Sequence, residues 1–492
     1  VEERNKSEEK TLFTLRKNQK NDSSSVKYFL FHTEIMIMPR SGIMEVIMDK
    51  KALIDKLFQL GKERGLEDME VSYRNGTSFS LSIFKSELDD YSLSESDVLS
   101  FRGIYNGKMG YSYTEKVDET SIELLVNGAI ENAKIISSED EVEIFAGSKE
   151  YKEVNSYNPS LDNVSELEKI EFAKKAEEIA YSLDKRVSTV QSCNYVDESS
   201  ESIICNTKGL NLHKKSNLTL SYIGVVVKDG DDIKSKYSFV CGRDFSKFDA
   251  EKLAKEAVEE ALSMLGAKSI KSGNYPIIVR NDTMVDLLQA FTGIFSAESV
   301  QKDLSLLKGK LNEQIASTKL TLVDDPFMEG GLASRSYDFE GAACTFKNVI
   351  ENGVLKTYLY NLKTAKKANV ETTGNSLGGS GIGPSNFYIK NGDKSLDEIV
   401  STIDKGLLIT NLDGLHAGLN TISGDFSLSA SGYEIENGKI KRPVEQITVA
   451  GNFFNMIKNI EEIGNDLKFG LPGSSYIGCP SIKFKSLAVS GE

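Results

Sequence analysis

Between Phe426 and Ile447 the chain alternates apolar and polar residues, FSLSASGYEIENGKIKRPVEQI, around Glu436-Asn437-Gly438. A period of two with an Asn-Gly turn predicts a β-hairpin with one buried face. The same turn signal recurs at Glu351-Asn352-Gly353, again between β-branched or aromatic residues. Much of the second half therefore reads as strand, and a long antiparallel sheet, curled or barrel-like, is its simplest container. The earlier part mixes two periods. DKKALIDKLFQLGKERG sets Leu53, Ile54, Leu57, Phe58 and Leu60 at helical spacing, and Gly65 ends it. VSYRNGTSFSLSIF and VLSFRGIYNGKMGYSY follow as strands, with tight turns expected at Asn75-Gly76 and Asn106-Gly107. Helices are predicted over 119–137, over 165–183 behind a Ser165/Glu168 capping box, and over 249–265, with strands around 202–241.

These elements describe an α+β protein. Residues 44–270 form a mixed helix and antiparallel-strand domain, and residues 271–492 a β-rich domain opened by the strand YPIIV and a helix over DTMVDLLQAFTGIFSAESV. The small, polar GAKSIKSGNYP marks the boundary. Residues 1–43 are charged and polar, and their one apolar run, YFLFHTEIMIM, is broken by His32 and Glu34. They read as a flexible extension or a start set upstream of the folded chain, without the unbroken core of a signal peptide.

Composition narrows the function. A chain of 492 residues exceeds what one core usually supports, in keeping with two domains. A net charge of −14 repels phosphate backbones, so no direct nucleic-acid binding is expected. No apolar run reaches the length of a membrane span. The five cysteines, 193, 205, 241, 344 and 479, are odd in number and lack a CxxC spacing. Free, buried thiols in a cytoplasmic protein are expected.

The string GLHAGLN, then SGDFSLSASGYEIENGKI and PVEQITVAGNF, resembles the C-terminal signature of the TldD/PmbA peptidase family, in its PmbA (TldE) branch. GGLASRSYDFEGAACTFKNVIENGVLKTYLYNLKTAKK (330–367) and IGNDLKF with GCPSIKFKSLAVSG near the C-terminus fall in the family's order, and the match runs from about Met48 to the end. In the TldD branch the helix after the YPIIV-like strand bears HExxxH, whose histidines hold zinc while the glutamate handles the proton of the attacking water. Set on that motif, this chain reads QAFTGI: Gln289 and Ile294 take the histidine positions and Ala290 the glutamate position. The third ligand position of the family falls near Phe469, and Cys479 matches the PmbA branch without a metal role. No catalytic or metal-binding residue is therefore expected on this chain, and the resemblance places zinc on a TldD-type partner.

Other chemistry centres on loops. His416, one of three histidines, lies in a glycine-punctuated loop beside Asp413 and Asp425. His416, Asn420, Asp425 and, in the glycine-rich stretch GNSLGGSGIGPSN, Gly379 are the candidate substrate contacts. The glycine-rich stretch lacks the GK[ST] of a phosphate loop and reads as a flexible loop closing over an extended substrate. His213 reads as a surface or edge residue, and a Cys-His pair would need the fold to join Cys344 or Cys479 to His416.

Three readings follow. The first is a PmbA-type subunit that shapes the cavity for proteolysis of unfolded or small peptides, beside a TldD-type paralogue. The resemblance adds antitoxin turnover, peptide-antibiotic maturation and an older label, modulator of DNA gyrase. The second is a self-sufficient hydrolase working near His416. The third is a non-enzymatic, peptide-binding homodimer.

Overall fold

The computed structural model describes residues 41–137, 142–379 and 381–492, with side chains from Lys50 onward. The reading of a flexible extension falls on residues 1–40, outside the described residues; at Ser41 a helix, Ser41–Glu63, has begun. Its apolar positions Leu53, Ile54 and Leu57 are buried, and Gly65, at φ +89°, turns the chain away.

Six long strands follow as one antiparallel sheet. Their spatial order is Lys108–Thr114, Glu87–Tyr105, Met69–Phe84, Val187–Asn206, Asn211–Asp229 and Asp232–Gly242. Strand alternation gives this sheet two unlike faces. Val71, Tyr73, Leu99 and Phe101 pack under the Ser41–Glu63 and Ser121–Ile135 helices. Phe79, Leu81, Ile83 and Val190 pack under Glu166–Leu183 and Ala250–Ser263. Ser165 and Glu168 close the expected capping box, and Asp249 caps the later helix.

One expected turn is not a turn. Asn75 and Gly76 pair in mid-strand with Asp97 and Ser96 on one side and with Glu201 and Ser200 on the other. The chain reverses instead at Lys85-Ser86, both at positive φ (55° and 63°). Neither residue type favours that region, so outside support is needed. Glu177, fully buried on its helix, supplies it: its carboxylate accepts the Lys85 N–H at 2.8 Å and the Ser86 N–H at 2.6 Å. The Asn-Gly turns at 106–107, 352–353 and 437–438 are as expected, each pair at positive φ between directly paired strand residues.

The C-terminal part holds two further six-stranded sheets. In one, Lys439–Asn452, Asp425–Glu436, Lys405–Asp413, Gly273–Val279 and Ile482–Ser490 lie in sequence, and Ile482–Ser490 pairs back onto Lys439–Asn452 through Thr448↔Ser490. That closes a five-stranded ring, the barrel-like form of the expected sheet. The second sheet runs through Leu322–Asp324, Asn386–Ile389 and Tyr476–Cys479. Asp324, fully buried, accepts hydrogen bonds from Ser385 N (2.7 Å), Asn375 Nδ2 (2.7 Å) and Lys347 Nζ (2.9 Å), and so pins both ends of the glycine-rich stretch. All of these elements past Ala52 belong to one compact unit, Leu53–Glu492.

The helix expected over 282–300 is shorter. It spans Asn281–Phe291, tightens to a 3-10 turn over Thr292–Phe295, and a separate short helix follows at Ala297–Gln301. The tighter turn carries Ile294 and Phe295 into the core, each 1 % exposed.

Candidate functional site

The Asn281–Phe291 helix follows directly on the Gly273–Val279 ring strand, and its start is held by side chains. Asn281 Oδ1 accepts the Asp282 N–H, Asp282 Oδ1 accepts the Thr283 N–H, and Asn281 Nδ2 donates to the Asp466 carbonyl. Thr283, Met284, Leu287, Leu288 and Phe291 face the core, where the Phe291 ring stacks on Phe453 at 4.3 Å between centroids. The other face, at i, i+4 and i+7, presents Asp282, Asp286 and Gln289 to a cleft of ≈ 520 Å³. Tyr237 and Phe239 of the N-terminal sheet and the 468–475 segment complete its walls, with Phe469 stacked on Tyr476 at 4.5 Å.

Its two carboxylates differ. Burial opposes ionisation of Asp282, but the Arg280 guanidinium, with Nε 2.9 Å away, and Lys468 outweigh it and hold the carboxyl below its ordinary range. Arg280 is shared with Glu260 at 3.0 Å. Asp286 has no such partner: desolvation in the cleft, then the Asp282 charge, push it up to about 6. A carboxyl poised there can take or release a proton near neutrality, and the pair suits an amine or other cationic group.

Gln289 and Phe469, two of the positions that the family resemblance sets against zinc ligands, line this one cleft. Zinc asks for three or four N, S or carboxylate donors in tetrahedral array. Gln289 offers an amide, Phe469 a hydrocarbon ring, Ala290 a methyl group, and Ile294 is turned into the core. The residues present do not fit a zinc ion, and among the described residues no group of three or more His, Cys, Asp and Glu is placed to hold a metal.

The loop candidates lie elsewhere. His416 is exposed in the segment after Lys405–Asp413. Asn420 Oδ1 accepts the N–H groups of Ile422 and Ser423. Asp425 accepts from Asn452 Nδ2 and Ser423 Oγ, the hydrogen bonds that hold its carboxyl below the ordinary range. These are the bonds of a loop folding on itself, and none of the three residues lines the cleft. Gly379 is at the tip of a small hairpin, Ser376–Gly378 with Gly381–Ile382, at φ +55°. Cys344 and Cys479 are buried; burial pushes the Cys344 thiol up to about 11 and the Cys479 thiol well above the ordinary range, so neither is a ready nucleophile. His213 lies on the Asn211–Asp229 strand, its Nε2 2.5 Å from Glu201. Asp282 and Asp286 were not among the sequence candidates, although their spacing ahead of Gln289 carries the signal.

Family comparison covers most of the chain. Residues 69–133 match domain 1 of the PmbA/TldA metallopeptidases, 159–265 their central domain and 272–491 their C-terminal domain. Metalloprotease PmbA of Escherichia coli O157:H7 is 27 % identical over 440 residues, 88 % of this chain and 93 % of that protein. A metalloprotease of Methanothermobacter thermautotrophicus is 30 % identical over 410 residues, 81 % and 88 % of the two chains. Among solved structures, a Thermotoga maritima protein described as a proposed modulator of DNA gyrase superposes with a TM-score of 0.83 at 37 % identity, over 89 % of this chain and 100 % of that one. TldE from Thermococcus kodakarensis gives 0.82 at 25 %, over 89 % and 100 %. With all three family domains matched in order along its length, this chain belongs to the PmbA/TldD metallopeptidase family.

Proposed function

We propose that this chain is the PmbA/TldE-type member of a two-component peptidase: it shapes a peptide-holding cavity while a TldD-type paralogue supplies zinc. The observation that carries the reading is the cleft itself. Gln289 and Phe469 stand together on a ≈ 520 Å³ cleft, so the pocket persists where donor chemistry does not. A zinc hydrolase needs donors that hold the ion, and an amide beside a phenyl ring does not supply them. Peptide contact asks less: carboxylates for an amine and aromatic walls for side chains, both present here. Two relatives are named metalloproteases and a third TldE, which accords with a role in proteolysis. Five free cysteines accord with a cytoplasmic setting.

Peptide cleavage by the purified chain, by a TldD-type relative, and by the two mixed tests the proposal. Cleavage of an unstructured peptide is expected to rise only in the mixture and to vanish with a chelator. Turnover by this chain alone that survives the chelator would overturn it.

A further inference from the structure

The sheet face turned away from the helices of the N-terminal part is lined by small hydroxyl residues. Ser72, Ser78, Ser200, Ser202 and Ser216 lie on it, all at even-numbered and therefore same-face positions of three neighbouring strands. Over this floor the 331–339 segment and Gly473-Ser474 enclose a cavity of ≈ 260 Å³. Four cations converge on it, Arg74, Lys214, Arg243 and Arg335, in a chain whose net charge is −14.

The cations are not neutralised from within. Arg335 is 5 % exposed, and it donates to two backbone carbonyls, Ser474 and Pro384, each at 3.0 Å. Arg243 likewise donates to the carbonyls of Gly331 and Leu332 at 3.1 Å. The Nε of both guanidiniums is buried without a hydrogen-bond partner, as is the Tyr337 hydroxyl. Arg74 lies over the Phe339 ring at 5.5 Å. Among the described residues no carboxylate stands within ion-pair distance of any of the four. Asp338 also lines the cavity, but its oxygens already accept the N–H groups of Glu340, Ala342 and Ser376. Arg335 is buried, Lys214 and Arg243 are half-buried and Arg74 stands at the exposed rim. Cations drawn out of water are costly unless paired, so this arrangement calls for an anion from outside.

Its size and setting favour one kind of anion. The cavity opens, through shared Arg74, Ser200, Ser216 and Arg243, onto a second compartment of ≈ 380 Å³ along the same sheet face, and it meets the acidic cleft at Gly473 and Ser474. A run of compartments suits an extended chain, and guanidinium forks match the two oxygens of a carboxylate. We infer that Arg74, Lys214, Arg243 and Arg335 bind a carboxylate of an extended peptide, its C-terminus or an acidic side chain. This rests on the peptide-holding role proposed above.

Calorimetric titration of the intact chain with an N-acetylated hexapeptide of Gly, Ala and Ser tests it. The peptide is supplied as the free acid, as the C-terminal amide, and as the amide carrying one Glu. The free acid, or the Glu-bearing amide, is expected to bind about tenfold or more tighter than the plain amide. In Lys214→Met and Arg74→Gln the difference should shrink to about threefold or less, with a cooperative denaturant unfolding curve as the check on folding. Equal binding of all three peptides would overturn the carboxylate inference and leave the peptide reading standing. Binding of neither would overturn both. Inorganic phosphate binding more tightly than the free acid would overturn it in favour of a free-anion site.

Discussion

The acidic cleft and the basic cavity meet at Gly473 and Ser474, yet they are built in opposite ways. The cleft takes its charge from one helix, where spacing alone puts Asp282, Asp286 and Gln289 on one face, and Arg280 balances part of it from the adjoining strand end. The cavity takes its charge from four separated segments, and the one acid on its wall, Asp338, is already bonded to backbone N–H groups. A charge set held by one element tolerates change locally, whereas one assembled from four depends on whatever clamps the segments together.

The clamp on the basic side gives the largest expected effect. Asp324→Ala leaves Lys347 Nζ, now 2.9 Å from the carboxylate, buried without its partner and frees Ser385 and Asn375. A loss of about 3–5 kcal/mol in denaturant unfolding is expected. A loss near zero would mean that the glycine-rich stretch is held by something else.

Next comes a contrast inside the acidic side. Ile294→His puts a polar ring into a site 1 % exposed and is expected to cost about 2–4 kcal/mol. Gln289→His, on the exposed cleft face, should change stability by about 0.5 kcal/mol or less. Comparable costs in parallel unfolding curves would refute the placement of Gln289 on the cleft face and Ile294 in the core.

The cavity should also respond to pH. Burial, then the Arg335, Arg243 and Arg74 charges, lower Lys214 to about 8, so it loses its proton as pH rises through that value. Preference for free-acid over amidated peptide should fall about threefold between pH 7 and 9 and stay flat in Lys214→Arg, whose charge persists. A flat wild-type profile would take Lys214 out of the recognition.

The smallest effect is expected at Asp286. A carboxyl raised to about 6 binds more protons folded than unfolded, so its contribution falls as pH climbs from about 4 to about 6 and is level above. Asp286→Asn should therefore stabilise at pH 7 and do nothing at pH 3, the gain staying under about 1 kcal/mol because the cleft is open to water. Destabilisation at pH 7 would reverse the assignment.

Local signals were legible in the sequence where the chain acts on near neighbours. The Asn-Gly turns at 106, 352 and 437 close tight hairpins, and the Ser165/Glu168 box starts its helix. The turn at Lys85-Ser86 was not, because its support comes from Glu177, 92 residues away, while Asn75-Gly76 is overridden by pairing on both sides. The site divides in the same manner. Gln289 is marked in the sequence only as the residue standing at a histidine position of the resembling motif, and the fold places it on the cleft, whereas Asn420 and Asp425 of the loop around His416 bond to Ile422, Ser423 and Asn452. Lys214, next to His213 on the Asn211–Asp229 strand, carries no signal of its own in the sequence, since only the fold joins it to Arg243 and Arg335. The alternating serines of Met69–Phe84 were the available hint of a polar floor.

The ring formed by Thr448 meeting Ser490 leaves each of its five strands flanked on both sides. An incoming chain has no free main-chain row there to zip onto. Long free edges lie instead on the open N-terminal sheet, at Lys108–Thr114 and Asp232–Gly242, and the latter is the strand that contributes Tyr237 and Phe239 to the cleft wall.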